Sequence, residues 1–209
     1  MDENLHAHLQ KAAQMHVAVT NSLVQSAHKG TEKLEVFARF LSIAISHHEA
    51  ILVLLAEKRL AGSALVLVRS LVETCFRGYY VAFIASDDNI VQQVREGTIK
   101  YPRIDEMTSS FEKLFGSVGI FKHFGGETWG FLCGFTHSGL EQLSRRLKPD
   151  GSIGAEYEPD LLARAVGSST SVLVLIAIAY LELSGLPESA TAISEQFTGL
   201  YHQGPDEAG

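Results

Sequence analysis

Three charged residues recur at every fourth position in an otherwise apolar segment, RSLVETCFR. Arg69, Glu73 and Arg77 would lie along one line of a helix, because a step of four residues advances only about 40° around the axis. Glu73 can then pair with either arginine. Facing water, the line is an ordinary salt-bridged stripe; facing inward, it must form a hydrogen-bonded network, because an unpaired buried charge costs several kcal/mol.

A second charged line follows in the segment WGFLCGFTHSGLEQLSRR, where His137, Glu141 and Arg145 are also four residues apart. A histidine can act as a general acid or base near neutral pH, so His137 is the catalytic candidate, with a purely structural histidine as the alternative. The segment predicts a helix over 129–147. Its glycines weaken that prediction, and a loop that leads into a helix beginning at Thr136 is the alternative.

A third candidate, His48, lies within the apolar stripe of a predicted helix. A core histidine bonded to a neighbour is one interpretation of this position, and a functional histidine is the other. If the helices before and after Gly62 form a hairpin, His48 stands level with about Phe76, between Glu73 and Arg77. Contact with the charged line is then possible.

These patterns predict one composite site. A carboxylate on a largely apolar helix needs at least two donors to offset its desolvation, and a histidine from another helix would be a natural third partner. We therefore expect Arg69, Glu73 and His137 to share a site in which the Glu73 carboxylate bridges the cations. His48, Arg77 and Arg145 are the expected binding residues around it.

Metal ions and cofactors are not expected from this sequence. The chain has nine histidines, but the sole ExxH pair is Glu3 to His6, and HExxH and CxxC are absent. The sequence also lacks a P-loop, a GxGxxG motif after a strand and a GxSxG elbow. The common enzyme classes are therefore not indicated.

The length of 209 residues suits a single domain with a real core. A formal charge of −7 argues against a globally basic nucleic-acid binder and leaves room only for a local basic patch. The N-terminal residues lack the basic and apolar regions of a signal peptide, and the two cysteines resemble core residues, so we expect a cytoplasmic protein.

The apolar run 172–181 is too short to cross a bilayer and predicts a buried helix. Its β-branched residues also alternate as in a strand, but the sequence offers no second strand to pair with it.

The pattern of apolar residues, caps and breakers predicts an all-α bundle of six to eight helices over 1–201, with a disordered tail over 202–209. Gly62 and Ser63 separate two long helices and predict an antiparallel hairpin. A loop is expected over 116–128. The predicted helices cover about 3–27, 31–60, 64–85, 129–147 and 159–183, with shorter ones ending near Gly97, beginning at Pro102 and beginning at Pro187.

A symmetric oligomer, most simply a dimer, is expected as well. Apolar residues make up 46% of the chain, more than one small monomer needs to fill its core. Gly130, Gly134 and Ser138 recur every fourth residue, and small residues at that spacing let a neighbouring backbone come close.

The RSLVET and LCGFTHSG segments together resemble a group of bacterial helical proteins in which an R-x-L-x-E helix is followed by an aromatic-x-x-x-H element. That group is distantly similar to the HEPN superfamily. The resemblance implies a bundle that often dimerises, often acts in toxin or antiphage systems beside an antidote protein, and in its active members cleaves RNA without metal. Active members carry an arginine that is followed by four to six residues and then a histidine. This chain lacks that pair. The resemblance then implies a composite site that joins Arg69 and Glu73 to His137 of another helix, with histidine as acid or base and arginine holding a phosphate. The alternative is a non-catalytic module that binds a protein partner.

Overall fold

The structure of the chain is a computed structural model. It describes residues 2–24, 30–57, 60–86, 89–116, 119–146 and 151–201. The tail predicted over 202–209 lies outside these residues.

The all-α fold is confirmed, and the described residues form helices without any strand. The described residues contain ten α-helices instead of the six to eight expected, because the segment 119–146 divides into short pieces. Residues 80–84 add a π-helical turn directly after the third helix. The α-helices are α1 (Glu3–Val24), α2 (Glu32–Ala56), α3 (Ala61–Tyr79), α4 (Ile90–Glu96), α5 (Ile104–Phe115), α6 (Gly119–Gly125), α7 (Glu127–Thr136), α8 (Leu140–Leu143), α9 (Pro159–Leu183) and α10 (Pro187–Tyr201).

The predicted hairpin is formed by α2 and α3. Thr31 caps α2 as expected, its hydroxyl accepting the Leu34 amide at 3.3 Å. Gly78, near the end of α3, lies against Phe37 near the start of α2, where an added Cβ would stand 3.1 Å from that ring. The ends farthest from the connection therefore meet, as an antiparallel hairpin requires.

The start of α3 differs from the prediction. We expected Gly62 to stop one helix and Ser63 to cap the next, but the helix begins at Ala61 and includes both residues. Gly62 is used for packing, because a Cβ there would stand 2.5 Å from the Tyr157 hydroxyl. A glycine that makes room for a neighbour has the same sequence signature as one that ends a helix.

Helix α9 runs through the centre of the bundle. Residues 172–181 are helical, so the strand alternative is wrong for this segment, and most of their side chains are buried. Among the residues that the structure describes, two helices, α2 and α9, are apolar enough by length and composition to cross a membrane. This is a weak indication, because the core helix of a soluble protein and a signal sequence near the N-terminus pass the same test. The apolar window of α9 is 61% buried and that of α2 is 28% buried.

An aromatic cluster fixes α5 and α6 against the end of α3. Phe121 and Phe124 of α6 are buried, at 1% and 2% exposure, which explains why a region expected to be a loop forms a helix. Phe111 of α5 packs on Phe121 with ring centroids 4.7 Å apart. Tyr79 joins the cluster and donates its hydroxyl to the Leu175 carbonyl of α9 at 2.9 Å.

The helix predicted over 129–147 is broken in the middle. Helix α7 ends at Thr136, His137 is its C-cap, and Ser138 adopts a left-handed conformation with φ 52°. The Gly139 amide closes the turn on the Gly134 carbonyl at 2.6 Å. A helix starting at Thr136 is also wrong, and His137, Glu141 and Arg145 therefore do not form one line.

Candidate functional site

The charged line on α3 forms the network that its spacing predicts. Glu73 lies between the two arginines: Arg77 donates to one carboxylate oxygen, and an Arg69 guanidinium nitrogen stands 3.6 Å from the other. The side chains of Arg69 and Glu73 are 20% and 24% exposed, and that of Arg77 is 42% exposed. The line is thus partly buried, which is intermediate between the solvent-facing stripe and the inward-facing network that the sequence allowed.

Each arginine of this network also covers an aromatic ring. The Arg69 guanidinium carbon lies 4.9 Å from the ring centroid of Trp129, and that of Arg77 lies 4.8 Å from Tyr101. Such contacts hold a cation against a ring without removing all its hydrogen-bonding capacity. Burial raises the pKa of Tyr101, and the neighbouring Arg77 charge opposes that rise.

A cleft of about 480 Å³ opens beside the network. One wall carries Glu73 and Arg77, and the facing wall is the segment that leads into α5. There Arg103 caps α5 by donating its amide to Glu106 at 3.1 Å, and its exposed guanidinium lies 3.2 Å from Asp105. The cleft is also lined by Tyr101, Pro102, Ile104, Met107, Gly125 and Trp129.

His48 occupies a different part of the molecule from the charged line. It is fully buried, and its Nε2 lies 3.1 Å from the Thr170 hydroxyl of α9. That hydroxyl donates to the Val166 carbonyl at 2.8 Å, so it accepts from His48 Nε2–H. His48 Nδ1 is then the acceptor of the His16 Nδ1–H of α1, at 3.2 Å.

The buried histidine is held in its neutral form. Burial, followed by the nearby His16, lowers the pKa of His48 from 6.5 to about 3. Burial also lowers the pKa of His16, and the Glu49 carboxylate opposes that change. The cluster of His16, His48 and Thr170 matches the core-histidine interpretation, and within the described chain no hydrogen bond joins it to Arg69, Glu73 or Arg77.

His137 lies on the surface, at the end of α7 opposite to Trp129. His137 is eight positions after Trp129, which corresponds to about 12 Å along a helix axis. Among the described hydrogen bonds, ion pairs and ring contacts, none joins the His137 side chain to Arg69 or Glu73. The structure brings together Arg69, Glu73 and Arg77, and it places His137 farther along the same helix that carries Trp129.

Arg145 packs locally around the break between α7 and α8. It donates to the Glu141 carbonyl, and its guanidinium carbon lies 5.7 Å from the Phe135 ring centroid. Glu141 turns back onto α7, where a Cβ at Gly134 would collide with its carboxylate. Gly134 therefore makes room for a side chain of the same molecule.

The rings that complete the cleft were not identified from the sequence. Tyr101 and Trp129 are 24 and 52 residues from Arg77, and no periodic pattern links them to it. Trp129 is the single tryptophan of the chain, which is the one signal that could have drawn attention to it.

The described residues contain no group of three or more histidine, cysteine, aspartate or glutamate side chains arranged to hold a metal ion.

Comparison with known proteins gives one match. The model of a family of unknown function, DUF6988, matches residues 41–203. The matched part contains the charged line, the cleft and His137, and it excludes α1 with His16. No curated protein and no solved structure matches the chain.

Proposed function

The chain belongs to this family of unknown function, and we propose that it binds single-stranded RNA at the cleft beside Arg77. The observation that carries the proposal is the combination of exposed guanidinium groups with aromatic rings in one cleft. Proteins that bind single strands use cations for the phosphates and ring faces for the bases. We further propose the HEPN-like role of a cytoplasmic toxin or defence component, with an antidote protein as a partner.

The charges of the cleft favour a small, local contact with the RNA backbone. Arg77 is 42% exposed and Arg103 is 80% exposed, so both can reach a phosphate. Arginine presents paired donors that match phosphate oxygens. Glu73 holds the Arg77 group in place. Two arginines and two carboxylates line the cleft, so its lining has no formal net charge, in a protein whose net charge is −7. Phosphate contact therefore rests on the two exposed guanidinium groups and not on a net positive charge of the cleft.

Cleavage of the bound RNA is assigned to His137 in this proposal. A strand that starts at Trp129 and follows α7 reaches His137 after about 12 Å. Without a metal ion, the His137 imidazole would take the proton of a ribose 2′-hydroxyl, whose oxygen attacks the adjacent phosphorus while the 5′-oxygen leaves and takes a proton from water. Arg77 would hold a different phosphate of the same strand at the cleft. In this proposal Arg69, Glu73 and His137 do not touch one another, and the bound RNA extends from the charged line to His137.

Trp129 provides a direct test of binding, since the chain has no other tryptophan. We expect a single-stranded RNA of about twelve nucleotides to quench its fluorescence, with a salt-dependent affinity. Arg77→Gln is expected to weaken binding about tenfold. Arg39→Gln, which removes an exposed arginine of α2, is the matched control and should bind as the wild type does. RNA that leaves the fluorescence unchanged would contradict the proposal.

Cleavage is tested separately on a labelled RNA in the presence of a chelator. Wild-type protein should shorten the RNA. His137→Ala should lower the cleavage rate about 100-fold or more while RNA binding is retained. His8→Ala is the control, because His8 is a partly exposed histidine of α1 outside the matched family region. Intact RNA with the wild type would remove the catalytic role and leave the binding proposal standing.

A second candidate function, an interaction module that pairs with another copy of itself, is favoured by a cluster of exposed apolar residues. Leu140 and Leu143 of α8 are 77% and 59% exposed, and Ile153 is 90% exposed. The Gly154 amide bonds to the Arg146 carbonyl at 3.0 Å, which brings Ile153 beside the end of α8. Apolar groups clustered on a surface often mark an interface.

Light scattering at micromolar concentration tests this second function. We expect the wild type to be a dimer. The double variant Leu143→Glu, Ile153→Glu should be a monomer, because the two new charges would be buried in the interface. Val53→Glu, at a residue of α2 that is 61% exposed, should leave the dimer intact. A monomeric wild type would reject the homodimer.

A further inference from the structure

A second cavity, of about 600 Å³, lies between α3, α6, α7 and α9. None of the residues that line it lines the cleft beside Arg77. Its floor is apolar, since Leu65, Val68, Phe124 and Leu132 are at most 4% exposed. The volume falls within the range of about 300–1,000 Å³ that is typical of small-molecule sites.

The rim of this cavity carries an arginine, Arg164. Arg164 is exposed on the α9 face that lines the cavity, between Leu161 and Ser168. It forms no hydrogen bond or ion pair with any residue that the structure describes. An arginine left unpaired beside an apolar cavity can bind a carboxylate in a bidentate manner.

Gly167 keeps this cavity open. It lies in the middle of α9, where glycine costs about 1 kcal/mol relative to alanine. Neither a left-handed backbone nor a close neighbour requires glycine, because a Cβ there would meet no atom within 4 Å. The Ser171 hydroxyl donates to the Gly167 carbonyl at 2.9 Å, so the backbone remains bonded. The space that a side chain would fill belongs to the cavity.

We propose that this cavity binds a small molecule with an apolar body and one carboxylate group, of the kind found in medium-chain fatty acids. The apolar body lies on the floor formed by Leu65, Val68 and Leu132, where its burial supplies most of the affinity. The carboxylate pairs with Arg164 at the rim, where water can still reach both charges. This site does not depend on RNA binding, since the two cavities share no lining residue.

Isothermal titration calorimetry with octanoate tests the proposal on the full chain. We expect saturable binding of one octanoate, with a heat capacity change of negative sign from apolar burial. Arg164→Gln should weaken octanoate binding about tenfold and leave the binding of uncharged octanol unchanged. Octanoate that binds equally to the wild type and to Arg164→Gln would overturn the assignment of the carboxylate.

Gly167→Leu fills the cavity from inside and is the second variant. We expect it to abolish the binding of both octanoate and octanol while the melting temperature stays the same or rises, because leucine favours the helix. Gly130→Leu is the matched control, since a Cβ at Gly130 also meets no atom within 4 Å and Gly130 lines neither cavity. Wild-type protein that does not bind octanoate, or Gly167→Leu that binds it normally, would overturn the site.

Discussion

Two polar clusters interrupt the apolar bundle, and they differ in charge and in burial. The first contains His16, His48 and Thr170 and lies between α1, α2 and α9. The second contains Arg69, Glu73 and Arg77 and lies at the wall of the cleft. The neutral cluster includes a fully buried side chain, whereas Glu73 of the charged cluster keeps 24% of its surface exposed.

The difference reflects the cost of removing each group from water. A neutral imidazole loses two hydrogen bonds to water on burial, and two protein partners replace them. A carboxylate loses far more solvation energy, which even two arginines do not fully return. The charged cluster therefore stays at a cleft, where solvent and a ligand can both reach it.

The largest effect is expected from truncating the buried histidine. His48→Ala removes two hydrogen bonds and leaves a cavity, so the free energy of unfolding should fall by about 3 kcal/mol. Chemical denaturation measures this directly. His47→Ala, at the neighbouring and partly exposed position, should cost less than about 1 kcal/mol. Equal losses at the two positions would remove the distinction between the buried and the solvated site.

Acid should destabilise the protein through the same cluster. The folded pKa of His48 is about 3 and its ordinary value is 6.5, so the unfolded chain binds the proton more readily. Stability from this group is complete above pH 6.5 and is lost as the pH falls from there towards 3. The slope reaches about 1.4 kcal/mol per pH unit. In His48→Gln, chemical denaturation between pH 5 and 6.5 should show a free energy of unfolding that depends less steeply on pH. An unchanged dependence would assign the acid sensitivity to other groups.

The charged cluster is expected to contribute less to stability. Glu73→Gln should lower the free energy of unfolding by about 1 kcal/mol, because partial exposure screens both ion pairs. The control is Glu35→Gln. Glu35 also lies between two arginines, 2.5 Å from Arg39 and 3.7 Å from Arg95, but its side chain is 42% exposed. We expect a loss below about 0.5 kcal/mol there, and a larger loss than at Glu73 would contradict the effect assigned to burial.

The smallest effect is expected for the contact between Arg69 and Trp129. A double-mutant cycle with Arg69→Leu and Trp129→Leu should give a coupling energy of about 0.5–1 kcal/mol, because the guanidinium carbon lies 4.9 Å from the ring centroid. Thermal or chemical unfolding of the four proteins supplies the values. A coupling of zero would mean that the ring covers Arg69 without stabilising it.

Much of the fold could be predicted from local sequence. The apolar spacing of α2 and the proline that opens α9 predicted helices close to those observed, since each signal acts within a few residues. The break at His137 was not predicted. It depends on the left-handed conformation of Ser138 and on a turn closed by Gly139. Helix α6 was also missed, because the burial of Phe121 among distant rings stabilises it.

The sequence by itself determined which residues share a helix face, and therefore that Glu73 pairs with Arg69 and Arg77. Only the tertiary structure decided what surrounds those faces. Trp129 and Tyr101 come from distant segments, and His48 is bonded to His16 and Thr170 instead of to the charged line. The physical reason is that helix periodicity fixes neighbours within one turn, whereas contacts between helices depend on how all apolar faces pack together.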